Sequence, residues 1–539
     1  MAVKAISGSL TWLEAERREV CVRKARRAAI EVTVAAVRAF VVPQGCKASQ
    51  GEAAGNRARE PGSIPCLKLG TGGWRSAESK AVPREGRQEG GRVKDGKSES
   101  TSEVATVSAK AMQATSDLAR DWAWIDRSIW TERMLAALDN GVKGNKWFSL
   151  IDKVYRAQTL AAAWKQVKAN KGAAGIDGQS CERFAANAER YLGELAEDLK
   201  EGRYRAAPVR RVEIPKAGGK MRPLGIPTVK DRIVQAAVKR VIEPIFEKDF
   251  MPTSYGFRPG RGCKDALREV DALLSKGYTH VVDADLKSYF DSIPHARLKE
   301  RIEERISDGR LLELLAGWLH QDIVQGLQRW TPTGGTPQGA VISPLLANIY
   351  LHPLDERMRQ QGFAMVRYAD DFVILCPTAE EAGKALEEIK AWVEANGLSL
   401  HPEKTHIGDC RIKGQGFEFL GYRFEAGRRW VRKKSLMALK DKIRAKTRRT
   451  RCDSLARIVA DLNPLLKGWY GYFRRACRWE FPAVDGFIRR RLRAILRKHE
   501  KRPGFGRCQT DQRRWPNAYF AAQGLFTMTE ARLLASQSR

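Results

Sequence analysis

The sequence has few of the residues that build zinc sites and disulfide frameworks. Its 539 residues include only 10 cysteines and 7 histidines, and no two cysteines are spaced as Cys-x-x-Cys. Zinc fingers and a fold stapled by disulfides are therefore excluded. Scattered thiols of this kind are typical of a reducing compartment.

Long hydrophobic runs are also missing. A bilayer span needs roughly 18 or more apolar residues, whereas the run from Val32 to Val42 is short and is interrupted by Arg38. The N-terminus lacks the order of charged, apolar and small residues that marks a secretory signal. We therefore expect a cytoplasmic protein that has no membrane partner.

Hydrophobic periodicity is absent from the first part of the chain. Residues 44–108 are a mixture of Gly, Ser, Lys and Arg, which cannot bury enough apolar surface to offset chain entropy. Met112 is the first methionine after Met1, and periodic sequence begins directly after it. We predict that residues 1–111 are a disordered basic extension or an over-extended reading frame, with an RNA-binding arm as the alternative.

Acidic residues are in short supply. The chain has 96 Lys and Arg against 63 Asp and Glu, which gives a formal net charge of +33. The excess is concentrated, because residues 426–515 contain 28 Lys and Arg against 7 Asp and Glu and so supply +21 of that total. Since so much like charge repels itself, the composition favours a polyanionic partner such as nucleic acid.

Two of the scarce acidic residues, Asp370 and Asp371, are adjacent. They lie between the apolar runs 364–366 and 372–375, whose β-branched and aromatic residues predict two strands joined by a turn of two to four residues. Side-by-side carboxylates repel each other unless a cation lies beside them. The pattern Tyr368-Ala369-Asp370-Asp371 therefore indicates a divalent-metal site for phosphoryl transfer, and a solvated turn is the alternative.

Two further motifs precede this one. Residues 281–291 are an apolar strand that runs into acidic residues, and residues 334–339 read Gly-Gly-Thr-Pro-Gln-Gly. Asp285 is followed five positions later by Phe290, then by Pro-Gln-Gly, then by Tyr-Ala-Asp-Asp, and this order is highly specific. On these motifs the chain resembles the reverse transcriptases encoded by group II introns, over residues 120–525.

The resemblance implies an α+β chain with a right-hand polymerase fold of fingers and palm, followed by an all-helical thumb or maturase domain. The expected parts are a helical N-terminal extension at 112–203, fingers at 204–275, palm at 276–425, thumb at 426–502 and a short C-terminal segment at 503–539. A helix over residues 161–171 is predicted within the extension. The chain contains no His/Asn endonuclease with paired cysteines, so we expect no DNA cleavage.

The resemblance also implies the metal ligands. In DNA synthesis a primer 3′-hydroxyl attacks an α-phosphate between two Mg²⁺ ions that lie roughly 3.5–4 Å apart. Asp285 and Asp370 are implied as ligands that bridge the two ions, and Asp371 as support for the ion on the primer side. The backbone carbonyl of Leu286 is implied as a further ligand.

The strand that carries Asp285 also carries two other acidic residues. Asp283 has the same side-chain parity as Asp285, and Asp291 follows shortly after. The family's spacing of aspartate and aromatic selects Asp285 with Phe290. We therefore expect Asp283 and Asp291 to be capping or solvated residues.

Cations must face the phosphates of the incoming nucleotide. Residues 214–227 predict a hairpin, and in the family Lys216 and Arg222 match positions on it that grip the triphosphate. Lys220 is the alternative, because it has the same parity as Arg222. Ile226 is implied as a contact to the templating base pair.

Other residues around the nucleotide are implied in the same way. Phe290 is the expected steric gate against a ribose 2′-hydroxyl, with ordinary core packing as the alternative. Gln338 is expected beside the nucleotide sugar. Lys404 is the candidate general acid for the pyrophosphate leaving group, with a solvated turn lysine as the alternative.

Nucleic-acid contacts are expected outside the nucleotide site. Arg258 and Arg261 lie in a finger motif that contacts template in the family, so both are candidates for backbone contacts. Residues 462–473 resemble the maturase signature. Its aromatic residues are expected in the core because of their helical spacing, with base stacking as the alternative; they are Trp469, Tyr470, Tyr472 and Phe473.

The expected function is that of an RNA-directed DNA polymerase of a group II intron retroelement, which also binds its intron RNA to assist splicing and mobility. The implied partners are intron RNA, an RNA template with a DNA primer, target DNA and dNTPs, and a homodimer is left open. The alternatives are a maturase-only RNA-binding splicing factor and another bacterial reverse transcriptase of the retron or diversity-generating type.

Overall fold

The computed structural model describes residues 122–215 and 221–537. The predictions for residues 1–111, and those for Lys216 and Lys220 at the fingertip, lie outside the described residues. Within the part of the chain that the structure describes, no helix is both long enough and apolar enough to cross a membrane.

Helices occupy the described chain up to residue 200. They are α1 (Glu132–Asn140), a short 3₁₀ helix (Lys143–Asn145), α2 (Ile151–Val154), α3 (Ala157–Asn170), α4 (Cys181–Ala186) and α5 (Ala188–Lys200). Thr131 caps α1, because its side-chain oxygen accepts the N–H of Met134. The helix predicted over residues 161–171 is α3, which is followed by Lys171 in the left-handed conformation.

The fingers are built on a hairpin and a long buried helix. β1 (Val209–Pro215) and β2 (Met221–Ile226) pair antiparallel, with Ile214 opposite Arg222, as the hairpin prediction required. α6 (Val229–Glu247) is buried along almost its whole length and packs against α3. α7 (Cys263–Ser275) follows it.

The next part of the chain contains the palm. In chain order its elements are β3 (His280–Asp285), α8 (Tyr289–Ser292), α9 (His295–Glu303), α10 (Gly309–Leu319), β4 (Ile323–Gln325), β5 (Gln328–Trp330), α11 (Ser343–Gln360), β6 (Ala364–Tyr368), β7 (Asp371–Cys376), α12 (Ala379–Ala395) and β8 (His406–Asp409). Four of the strands form an antiparallel sheet in the order β6-β7-β3-β8. The central strands β7 and β3 are almost fully buried, because α12 and α7 pack against the sheet.

The short strands β4 and β5 do not belong to the palm sheet, although they fall within the range expected for the palm. β4 pairs in parallel with β1, with Val209 opposite Ile323, so the fingers sheet has the order β2-β1-β4-β5. Parallel pairing between segments so far apart in sequence leaves no local signal, and β4 and β5 are each only three residues long.

A second small sheet connects the palm to the helical domain. β9 (Phe417–Phe419), β10 (Tyr422–Glu425) and β11 (Arg428–Val431) form an antiparallel sheet in the order β11-β10-β9. The expected boundary between palm and thumb, at residues 425 and 426, therefore falls in the turn of the β10–β11 hairpin. The segment 426–502 begins with a strand and is not wholly helical. The rise in positive charge that suggested this boundary carries no information about backbone conformation.

Helices make up the rest of the chain. They are α13 (Lys433–Lys446), α14 (Leu455–Phe473), α15 (Glu480–His499), α16 (Gln509–Arg514), α17 (Asn517–Ala522) and α18 (Met528–Gln537). The C-terminal segment is an integral part of this domain, because Asp485 of α15 accepts the N–H groups of Met528 (3.1 Å) and Thr529 (3.0 Å) at the start of α18.

One hydrophobic core runs through the palm and the helical domain. It joins Val373 of the palm sheet, Phe417 of the small sheet and Phe473 of α14. The aromatic residues of the maturase-like signature lie in this core, as their spacing predicted; they are Trp469, Tyr470, Tyr472 and Phe473. They pack the helical domain onto the palm, so base stacking is not their role in this structure.

Candidate active site

The two adjacent aspartates lie at a tight hairpin, as predicted. β6 ends at Tyr368 and β7 begins at Asp371, and these two residues pair with each other across a turn made of Ala369 and Asp370. Ala369 has φ 61°, the left-handed conformation that closes such a turn. On its other edge β7 pairs with β3, where Asp285 lies opposite Asp371. The sheet register thus brings Asp285, Asp370 and Asp371 together.

These three carboxylates are buried. Asp285 is 8% exposed, and Asp370 and Asp371 are each 7% exposed. Carboxylates removed from water need positive charge nearby. Lys404 supplies part of it, because its Nζ lies 2.9 Å from Oδ2 of Asp285.

Backbone pairing of residues 285–287 with residues 399–401, beyond the end of β3, places Lys404 beside Asp285. His401 donates its N–H to the carbonyl of Asp285 (2.7 Å), and Lys287 donates its N–H to the carbonyl of Ser399 (2.8 Å). Leu286 forms an isolated β-bridge with Leu400 in the same segment. The structure therefore places Lys404 at the carboxylates, and Leu286 directly beside Asp285.

The donor set fits Mg²⁺ bound together with a substrate. Within the described ranges, no three His, Cys, Asp or Glu side chains are gathered into a metal-binding group. Mg²⁺ does not require such a cage, because it keeps several waters and is usually held by one or two carboxylates plus substrate phosphates. The carboxylate oxygens of Asp285, Asp370 and Asp371 are hard ligands of this kind. The Lys404 ammonium contacts Asp285, so this carboxylate already has a positive charge beside it.

Arg222 and Gln338 meet although they are far apart in sequence. The Arg222 guanidinium donates to Oε1 of Gln338 through Nε (3.2 Å) and Nη2 (3.0 Å). The Gln338 amide in turn donates to Asp291 (3.1 Å). Burial lowers the pKa of Arg222 to about 10, while the charges of Asp370 and Asp291 act in the opposite direction. Arg222 thus remains a cation at neutral pH and lies within the field of Asp370.

Glycines allow the Pro-Gln-Gly loop to pass between two backbones. Gly339 has φ 113°, and a side chain there would clash with the carbonyl oxygen of Gly225 in β2. Gly335 has φ 86° and is packed against the backbone of Phe290. Thr336 donates its N–H to the Phe290 carbonyl (2.6 Å). The loop therefore joins the fingertip strand, which carries Arg222, to the helix that carries Phe290.

Phe290 and Ile226 are both buried beside this loop. Phe290 lies in α8 and contacts the ring of Tyr289 edge to face, with centroids 5.5 Å apart. Ile226 ends β2. Both residues adjoin the loop that carries Gln338, because Gly335 packs against the backbone of Phe290 and Gly225, next to Ile226, donates its N–H to the Gln338 carbonyl (2.7 Å).

The two finger arginines have different environments. Arg258 is buried, and its guanidinium donates to Glu247 (3.0 Å), to the Ser254 carbonyl (2.7 Å) and to the Phe250 carbonyl (3.2 Å). These internal bonds use its donors, so the expected contact of Arg258 with template is not supported by this structure. Arg261 is partly exposed and donates to the Pro252 carbonyl (2.6 Å), and its contact with template stays a prediction.

The two other acidic residues of the first motif lie outside the carboxylate group. Asp283 is buried inside β3 opposite Val373 and accepts the N–H of Glu418 (3.5 Å), so the expectation of a capping or solvated residue is wrong for it. Asp291 is exposed and accepts the Gln338 amide. The family spacing thus selected the aspartate that faces Asp371.

Arg367 and Asn348 were not identified from the sequence as part of the site. Arg367 is buried in β6 and bonds to Asp355 and Asn348, which lie on α11. Arg367 directly follows the apolar run 364–366, so the sequence shows a charged residue within a strand that is expected to be buried. Because a buried charge requires a buried partner, this position could have been predicted to bond inside the palm.

The helical domain presents a cluster of cations around one partly exposed ring. Lys440 and Arg444 of α13 and Arg490 of α15 lie 5.5–6.0 Å from the ring centroid of Phe487. We name these four residues the Phe487 cluster. Arg444 also pairs with Asp441 of its own helix. Lysine and arginine side chains gathered at the surface in this way are suited to phosphate contacts.

Comparison with known families covers both halves of this architecture. Residues 214–424 match the family model for Reverse transcriptase (RNA-dependent DNA polymerase), and residues 436–515 match that for the Group II intron, maturase-specific domain. The first range contains all three carboxylates, and the second contains the Phe487 cluster.

Individual proteins match over parts of the chain. Protein YkfC of Escherichia coli (strain K12) is 36% identical over 323 residues, which cover 51% of this chain and 82% of that protein. Group II intron-encoded protein LtrA of Lactococcus lactis subsp. cremoris is 39% identical over 208 residues, which cover 38% of this chain and 34% of LtrA. Among solved structures, a chain of the "Partial Cas6-RT-Cas1--Cas2 complex" aligns with a TM-score of 0.30 at 25% identity, over 48% of this chain and 43% of that one.

Proposed function

Since this chain belongs to the group II intron-encoded reverse transcriptases, we propose that it copies RNA into DNA at the carboxylates of the β3–β7 ladder and binds its intron RNA through the helical domain. The proposal includes assistance to intron splicing and mobility, with an RNA template, a DNA primer, target DNA and dNTPs as partners. The observation that carries it is the register that sets Asp285 opposite Asp371, beside Asp370.

Divalent metal ions serve the reverse transcriptase family, and we propose two Mg²⁺ ions here. Asp285 and Asp370 would hold both ions, with Asp371 and the Leu286 carbonyl as further ligands. When bound, the ions stabilise the charge on the attacking and leaving oxygens. The buried carboxylates contribute by fixing where that positive charge lies.

The surrounding residues bind and orient the nucleotide. Arg222, with Lys216, is proposed to grip the triphosphate, because a buried guanidinium offers several donors in a fixed plane. Gln338 holds Arg222 by a hydrogen bond and is proposed to lie beside the sugar. Phe290 is proposed to exclude the 2′-hydroxyl, and Ile226 to support the templating pair.

Lys404 is proposed to donate a proton to the pyrophosphate leaving group. Its ammonium group lies at Asp285, so it is already at the reaction centre. An ammonium group in this position is the kind of proton donor that general acid catalysis of pyrophosphate departure needs.

The proposed RNA surface includes the Phe487 cluster and Arg261. Phosphate contacts by lysine and arginine provide most of the affinity of such surfaces and make it depend on salt. A protein that only assisted splicing would need this surface and not the three carboxylates. Since all three are present at the same end of the palm sheet, the geometry favours polymerase activity in addition to RNA binding.

Primer extension on an RNA template with dNTPs and Mg²⁺ tests the proposal, with Asp370→Ala as the comparison. Extension by the wild type alone supports a polymerase at this site. If neither protein extends a primer but both bind and splice intron RNA, the polymerase proposal is rejected in favour of the maturase alone. Equal extension by both proteins would show that the site lies elsewhere.

A further inference from the structure

Arg367 is a charged residue inside the palm core. Its relative exposure is 0%, and it lies on β6 between Val366 and Tyr368. Its Nε donates to Oδ1 of Asp355 (2.7 Å), and its Nη2 donates to the other oxygen of the same carboxylate. A buried guanidinium is tolerated only with such a bidentate partner.

The third nitrogen of the Arg367 guanidinium, Nη1, bonds to the turn of Ala369 and Asp370 between β6 and β7. Nη1 donates to the carbonyl of Ala369 (2.9 Å) and to Oδ1 of Asn348 (2.9 Å). Ala369 has φ 61°, a conformation that an L-residue adopts only when its surroundings hold it there. The guanidinium therefore fixes the peptide that directly precedes Asp370.

The opposite face of the turn is held by the segment 253–256. Gly256 lies so close to Ala369 that a side chain would clash with its backbone. The Asn348 amide donates to the Gly256 carbonyl (2.8 Å), so one side chain connects this segment to Arg367. Arg367 itself pairs with the segment through its backbone, donating to the Thr253 carbonyl (3.0 Å).

One helix carries both partners of Arg367. Asn348 and Asp355 lie on α11, which follows the Pro-Gln-Gly loop. Ser343 at the start of α11 donates its hydroxyl to the Pro337 carbonyl (2.9 Å), which ties the loop to the helix. The position of the Asp370 turn and that of Gln338 thus depend on the same helix.

We propose that Arg367 is a positioning residue for the polymerase reaction. It holds the Ala369 peptide and so sets the position of the Asp370 carboxylate, and through Asn348 and α11 it keeps this turn in register with the nucleotide loop. The inference rests on the proposed function for its kinetic consequences. Its geometric consequence, an altered cation site, is independent of polymerase activity.

Arg367→Lys is the informative variant, because it keeps the charge and loses the geometry. A single ammonium cannot bond to Asp355, Asn348 and the Ala369 carbonyl at once. Primer extension is expected to show kcat reduced about a hundredfold with a much smaller change in the KM for dNTP. Binding of MnCl₂ to the protein alone, followed by electron paramagnetic resonance, is expected to weaken about tenfold.

Asn348→Ala and Arg493→Lys complete the set. Asn348→Ala removes the link between Gly256 and Arg367 and is expected to reproduce the loss of kcat in milder form. Arg493→Lys is the matched control, because Arg493 is also buried and donates to a backbone carbonyl, that of Trp515 (2.9 Å), in the helical domain. It is expected to lower the melting temperature while leaving kcat per folded molecule and Mn²⁺ affinity unchanged.

Wild-type kcat and Mn²⁺ affinity in folded Arg367→Lys would overturn the proposal, since charge alone would then suffice. The proposal would also be overturned if the loss of activity in Arg367→Lys were fully explained by the fraction of unfolded protein, as judged from the melting temperature. If the wild type extends no primer, the proposed function fails. The Mn²⁺ measurement would then still decide whether Arg367 positions the site.

Discussion

Asp285 and Asp371 stand directly opposite each other on the antiparallel strands β3 and β7. Like charges in this position destabilise a sheet, and both side chains are largely removed from water. The Lys404 ammonium at Asp285 offsets part of the cost. A local conflict of this kind within a well-packed palm marks a place where the fold serves the chemistry.

Asp371→Asn removes one of the two opposed charges. We expect primer extension to fall by at least about a hundredfold, because a proposed metal ligand is lost, while the melting temperature stays unchanged or rises. The control is Asp283→Asn, which alters a buried aspartate on the neighbouring strand β3 that lies opposite Val373 and not opposite Asp371. Normal extension by Asp371→Asn would contradict the assignment of this carboxylate.

Phe290→Val enlarges the space beside the nucleotide loop. We expect incorporation of rNTPs relative to dNTPs to rise about 10- to 200-fold, the range that steric changes in an apolar pocket produce. Single-nucleotide incorporation assays measure this ratio. Tyr289→Phe is the control, because it keeps the neighbouring ring and removes only a hydroxyl that donates to the Ala347 carbonyl (2.6 Å). Unchanged sugar selection in Phe290→Val would favour ordinary core packing for this ring.

Neutralising the Phe487 cluster tests the RNA surface. Replacing Lys440, Arg444 and Arg490 by Gln should reduce the slope of log Kd against log salt for intron RNA by about 2, if each loses one phosphate contact. Filter binding across a salt series measures the slope. The control changes three lysines on the palm helices α9 and α12, each of which pairs with a glutamate of its own helix: Lys299, Lys384 and Lys390. If both triple variants have the same slope of log Kd against log salt as the wild type, the RNA does not bind at the Phe487 cluster.

Lys442→Met tests a charge that burial disfavours. Burial lowers the pKa of Lys442 to about 8, whereas an unfolded lysine titrates near 10.4. Below pH 8 the folded protein bears the full cost of a desolvated ammonium, and this cost is relieved as the pH rises towards 10.4, because the folded state then loses its proton first.

Lys442→Met should therefore raise the melting temperature by about 2–4 °C at pH 7, and this gain should shrink towards pH 10. Thermal unfolding at several pH values measures the difference, with the exposed Lys433 changed to Met as the control. A gain that does not vary with pH would show that packing of the methionine, and not the charge, is responsible.

The local motifs predicted the chemistry of the site because they are short and ordered. Asp285 with Phe290, the Pro-Gln-Gly loop and the paired aspartates each lie within a few residues, and the turn between β6 and β7 follows from apolar runs around two polar positions. The helical spacing of Trp469 and Tyr472 likewise indicated core residues, since burial follows periodicity.

The sequence by itself thus determined which residue types are present, and the tertiary structure decided which of them meet. Parallel pairing of β4 with β1, the hydrogen bond from Arg222 to Gln338 and the burial of Arg258 against Glu247 all join segments that local patterns do not connect. Whether an arginine faces RNA or the core depends on what packs over it. Long-range packing and strand register decide which side chains cover a given arginine, and no short sequence motif specifies them.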